Sequence, residues 1–143
     1  MRDELQRSEQ PRRAAIIQPE QGRSYPMGRI RAVFKADGDE TAGQYSVSEW
    51  WLEPRTLGPT SHEHEDDHVY YVITGVLSVR FNDGEWLQAA QGSYILIPGG
   101  TPHAFENQGT QSTAFISFNS PGGFEAKMQN IAPWLAAEDL RMK

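Results

Sequence analysis

The chain contains four histidines, and their placement is its strongest chemical signal. His62, His64 and His68 stand close together, and His103 follows the turn Pro98-Gly99-Gly100-Thr101-Pro102. On an extended strand alternate side chains face one way, so His62 and His64 point into one space, and a strand resuming by His68 adds a third imidazole. The rigid turn before His103 feeds a strand able to lie beside the first. A lone histidine is more often solvated or satisfied in a core. Here all four fall in two segments, which favours one shared metal. Imidazole nitrogen suits Zn, Fe, Cu, Ni or Mn(II). The absence of cysteine removes disulfides, thiolate nucleophiles and thiolate zinc sites, leaving nitrogen and oxygen as the ligand atoms.

The elements that must position these rings read as strands. Ile30, Ala32 and Phe34 alternate with Arg31, Val33 and Lys35, and a turn follows at Asp37-Gly38-Asp39. Residues 44–52 are rich in β-formers and stop before Pro54. Further strands are predicted at 69–73, 76–81, 86–88, 94–97, 103–105 and 113–118, with Asn82-Asp83-Gly84 as a hairpin turn. Such short strands, with no helix between them, predict an all-β antiparallel sandwich or barrel. Apolar residues at Phe124, Met128, Ile131, Leu135 and Leu140 predict one or two short C-terminal helices interrupted at Pro133. The expected division is an N-terminal arm over 1–27, a barrel over 28–123 and a helical segment over 124–143.

A length of 143 residues suits one domain. The formal charge of −6 argues against a nucleic-acid or anionic membrane partner, which would need clustered Lys and Arg. A small-molecule partner is expected instead. No stretch reaches the length of a membrane span and the N-terminus is charged, so a cytoplasmic location is expected.

With the strands in place, the histidine spacing resembles the cupin superfamily. Its first motif runs from Gly over five residues to His-x-His, then Glu, then Gly. Here His62-Glu63-His64, His68 and Gly75 match that spacing, but His68 stands in the glutamate position and Thr56 in that of the leading Gly, with Gly58 nearby. The second motif is matched by Gly92, Pro98, Gly100, His103 and Asn107. The resemblance covers about residues 44–123. It implies a double-stranded β-helix, or jelly-roll barrel, with one divalent metal (Zn, Fe, Mn or Ni) held in its mouth by His62, His64, His68 and His103.

Replacing the acidic ligand by His68 leaves a divalent ion near a net charge of about +2 rather than about +1, hence a stronger Lewis acid. Within the resembled family, four-histidine sites are associated with manganese cupins and with polyketide cyclisation in antibiotic biosynthesis, which requires enolate stabilisation and no redox change. The expected activity is thus a metal-dependent polyketide cyclase acting on an enolisable polyketide or phenolic small molecule. The alternative is a quercetinase-like dioxygenase using O2; a sensor or storage protein is a third. Glu49 is the candidate general base, beside metal-bound hydroxide. Tyr70, Tyr94, Phe105, Phe115 and Trp51 are candidates for an aromatic cavity wall. The acidic run Glu63, Glu65, Asp66 and Asp67 is expected to be solvated, or to support the histidines by hydrogen bonds; Asn107 is expected to hold a turn. A homodimer is expected, part of residues 10–35 of one chain covering a sheet edge of the other.

Overall fold

The structure is a computed structural model that describes residues 12–143. Residues 1–11 of the expected arm lie outside the described residues. The strands are β1 (Arg23–Met27), β2 (Ile30–Ala36), β3 (Ser46–Leu52), β4 (Asp67–Thr74), β5 (Val76–Phe81), β6 (Leu87–Ala90), β7 (Tyr94–Ile97), β8 (His103–Glu106) and β9 (Thr113–Ser120). A one-turn helix α1 (Gly38–Thr41) joins β2 to β3, and a 3-10 turn (Phe124–Lys127) leads into helix α2 (Met128–Ala136).

Two antiparallel sheets form the jelly roll. One has the order β1-β2-β3-β9-β4-β7, the other β6-β5-β8. Alternation decides which side chains enter the space between them. On β3, Ser46, Ser48, Trp50 and Leu52 are buried while Val47, Glu49 and Trp51 are only half-buried. Phe34, Val72, Leu77, Ile97 and Phe115 complete a core in which Trp50 stacks on Phe115, with ring centroids 6.3 Å apart. The β5–β6 hairpin turns where both Asn82 and Asp83 hold positive φ, the left-handed pair that a tight hairpin requires and Asn and Asp tolerate.

Strand structure begins earlier in the chain than the sequence suggests. Residues 23–27, expected to belong to a partly irregular arm, form β1 and pair with β2, Arg23 facing Phe34 and Met27 facing Ile30. Pro26 and the polar residues around it hide this strand, which Pro26 can join because it lies on the sheet edge. β2 in turn pairs with β3 of the same chain.

At the other end, α2 runs through Pro133 instead of breaking there. Met128 and Leu135 are buried on the barrel, and this packing offsets the one helical hydrogen bond that a proline cannot donate. The tail is then stitched back to the sheet mouth: Leu57 N–H donates to Leu140 O (2.7 Å), and Met142 N–H to Arg55 O (2.8 Å). The C-terminal segment is therefore a cap over one end of the barrel. No helix among the described residues is long and apolar enough to cross a membrane.

Candidate metal centre

The four histidines meet under this cap, although not all from strands. His68 lies on β4 and His103 opens β8, while His62 and His64 sit on an extended loop outside the named strands. A single antiparallel bridge holds the loop: His62 N–H donates to His103 O (3.0 Å), and His103 N–H to His62 O (2.8 Å). Gly100 N–H adds a bond to His64 O at 2.6 Å. The turn before His103 thus fixes the histidine loop as well as delivering its own ring.

Two glycines allow this loop to lie so close. A Cβ at Gly99 would stand 2.1 Å from Glu65 O, and one at Gly58 would stand 1.7 Å from Phe105 O. Gly58 is therefore required for close backbone approach rather than for a turn. Thr56, in the position where the motif has glycine, is wholly buried and exchanges backbone hydrogen bonds with Asn107 at 2.9 Å. Asn107 does not line the cavity; its amide donates to Glu53 O (3.0 Å) and Gln111 O (2.8 Å), tying two loops together.

The rings form one cluster. His62 and His103 centroids are 4.5 Å apart, as are those of His64 and His68. His62 Nδ1–H donates to Thr60 O and His103 Nδ1–H to Thr101 O, both at 2.8 Å. Each such bond fixes the tautomer and leaves Nε2 with a free lone pair. His64 Nε2, His103 Nε2 and both ring nitrogens of His68 are buried without a hydrogen-bond partner. Such orphaned nitrogens are costly unless something else satisfies them. His62, His64 and His103 offer ligand atoms that lie within 4.8 Å of one another, as do His64, Asp66 and His68.

Burial, reinforced by neighbouring rings, pushes His64 down to about 3, and burial pushes His68 down to about 4 against the pull of Asp66. His62 and His103 are lowered as well, again chiefly by burial. All four rings are neutral at physiological pH, the state in which imidazole binds a metal. Partnerless, neutral and converging nitrogens fit a divalent cation.

Above the cluster is a cavity of about 160 Å³, walled by Trp50, Tyr70, Phe105, Phe115, Phe124 and Trp134. Tyr70, Phe105 and Phe115 take the wall positions expected of them. Tyr94 is instead exposed on edge strand β7, and Trp51 faces outward on β3, where the next residue in register, Trp50, takes the inward place. Glu49 shares that outward face, its carboxylate accepting a hydrogen bond from Trp51 Nε1 (3.4 Å), and does not line the cavity. The two-residue period that sends Trp50 inward sends Glu49 away from the histidines, so the expected catalytic role of Glu49 is not supported.

The acidic run divides in the same way. Glu63, Glu65 and Asp67 are exposed, whereas the Asp66 side chain is only 13% exposed and turns toward His68. Lys127 stands beside the cluster, its Nζ 3.4 Å from His64 Nδ1 and 3.7 Å from Asp66 Oδ1.

A small jelly roll whose mouth gathers four neutral histidines beneath an apolar cavity defines the class: a barrel protein able to hold a metal ion in its open end. Residues 48–119 match the cupin domain family, and the chain belongs to that family. Among solved structures, the polyketide cyclase RemF from Streptomyces resistomycificus aligns with a TM-score of 0.66 and 20% identity, over 76% of this chain and 80% of that one. KdgF from Halomonas sp. aligns with a TM-score of 0.66 and 19% identity, over 78% and 99%. An RmlC-like cupin from Shewanella frigidimarina aligns with a TM-score of 0.65 and 17% identity, over 81% and 99%. These likenesses establish the shared fold. No curated protein sequence matches the chain.

Proposed function

We propose that this chain is a metal-dependent enzyme that cyclises an enolisable polyketide or phenolic small molecule by aldol-type, non-redox chemistry. One observation carries the proposal: His64 and His68, with their partnerless ring nitrogens, line a cavity of about 160 Å³ whose other walls are largely aromatic. The histidines would hold a divalent ion, which supplies polarisation of a substrate carbonyl.

The chain's own residues do the rest. Trp50, Phe105, Phe115 and Phe124 offer ring faces and edges to a flat conjugated substrate and exclude water from it. Phe124, Ile131 and Trp134 wall the cavity from the side of the cap, so the C-terminal segment shapes what the cavity admits. Cyclisation moves one proton overall, from the α-carbon that forms the new bond to the oxygen of the carbonyl it attacks. Tyr70 lines the cavity and would hand a proton to that oxygen and regain the one leaving the α-carbon: burial first, and the charge of Asp66 second, raise its phenol far above its ordinary value, so it stays protonated until it donates. Similarity of fold to a polyketide cyclase supports the choice of substrate class.

The test is to load the protein with redox-inert Zn(II) and incubate it with a short poly-β-carbonyl compound under nitrogen. Formation of a cyclised, dehydrated product at the same rate as in air is the expected result. Strict dependence on oxygen, with oxygen consumed in proportion to product, would sink the cyclase assignment and place the site among the dioxygenases.

A further inference from the structure

Resting on the reading that the histidines hold a divalent ion, we propose that Asp66 is a further ligand to it, so that the site keeps a carboxylate despite the histidine at position 68. His68 is 3% exposed and neither of its ring nitrogens has a hydrogen-bond partner. Its Nε2 nevertheless lies only 3.1 Å from Asp66 Oδ2. A nitrogen and a carboxylate oxygen this close, and not hydrogen-bonded, match two adjacent ligands of an octahedral ion, which at about 2.1 Å each stand about 3 Å apart. His64 belongs to the same group, its ligand atom within 4.8 Å of those of Asp66 and His68.

The fold aims this carboxylate deliberately. Asn119 on β9 lies opposite His68 on β4. Wholly buried, it donates from Nδ2 to Asp66 Oδ2 (3.1 Å) and accepts from Ser117 Oγ (3.1 Å). The Ser117–Asn119 pair therefore turns Asp66 inward, away from the solvent that its neighbours Glu65 and Asp67 face. Lys127 balances the outer oxygen, Oδ1, at 3.7 Å. With Asp66 as a ligand, the ion and its ligands carry a net charge of about +1, the value of a three-histidine, one-carboxylate site. The exchange at position 68 moves the carboxylate two residues back along the chain rather than removing it.

Co(II) titration of the metal-stripped parent, Asp66→Asn and the double variant Asp66→Asn with His68→Glu tests this, reading the dissociation constant by calorimetry and the coordination shell by visible absorption. Circular dichroism and the metal-free melting temperature of each variant confirm the fold. Asp66→Asn is expected to weaken Co(II) binding by about tenfold or more and to shift the visible bands, because an oxygen ligand has gone. The double variant, with one carboxylate again, should recover most of the affinity. Two results would overturn the proposal: unchanged affinity in Asp66→Asn, or weaker binding with unchanged bands, which makes Asp66 only a hydrogen-bonding neighbour of the ligands. A parent that takes up no Co(II) would overturn the metal reading itself.

Discussion

Acidifying the metal-free protein should destabilise it through the histidines before its carboxylates respond. Burial holds all four folded-state values below the ordinary 6.5 of an exposed imidazole. As the pH falls through 6.5, the unfolded chain takes up protons that the folded chain refuses, so stability is full above that value and drains away below it. For His68, with a folded value of about 4, the loss between pH 7 and pH 5 approaches about 2 kcal/mol. His62 and His64, partly open to solvent, add less each because water screens them. A total of about 2–4 kcal/mol corresponds to a fall in melting temperature of roughly 5–15 °C for a chain of this size. The assay is thermal and urea unfolding of chelator-treated protein at several pH values from 7 to 5, beside His68→Gln. That variant should lose about 1–2 kcal/mol of the pH-dependent part. A parent whose stability is flat across this range, or a variant with the parent's slope, would refute the burial argument.

Gly99→Ala should shift the histidine loop, because its Cβ would stand 2.1 Å from the Glu65 carbonyl; a stability loss of about 1–3 kcal/mol by urea unfolding and reduced metal content by elemental analysis are expected. Trp134→Ala should open the cavity at low cost to the fold, since this side chain is 44% exposed: under about 1 kcal/mol of stability, with several-fold weaker binding of a bicyclic phenol measured by fluorescence. Glu125→Gln should loosen the cap by weakening its paired bonds to Arg23 Nε (both 2.8 Å) and its bond from Tyr25 (2.6 Å); faster amide exchange confined to the region of residues 124–136 is the expected signature.

Much of this fold is legible in the sequence because strand alternation is a local rule, and the gathering of its histidines is legible through their spacing, which resembles the cupin motifs. Period-two alternation marks the strands, Asn82-Asp83-Gly84 marks the hairpin, and the two histidine segments with their spaced glycines and proline place the cluster. Where the reading misses, the deciding contacts are non-local. Trp50 and Glu49 are neighbours, and only the register of β3 against β9 sends one inward and the other out. Strand β1 owes its existence to pairing with β2, against the local signal of Pro26. The persistence of α2 through Pro133 depends on the barrel surface beneath it. Asp66 is indistinguishable in sequence from Glu65 and Asp67; Asn119, distant along the chain, selects it.

Elemental analysis of protein purified without added metal and then dialysed against dilute divalent metal shows whether the four histidines hold one metal ion. Close to one divalent transition-metal ion per chain is predicted for the parent, falling sharply in His62→Ala and His103→Ala variants that retain the fold by circular dichroism. A folded parent that holds no metal after this treatment, or variants that hold as much as the parent, would show that they do not.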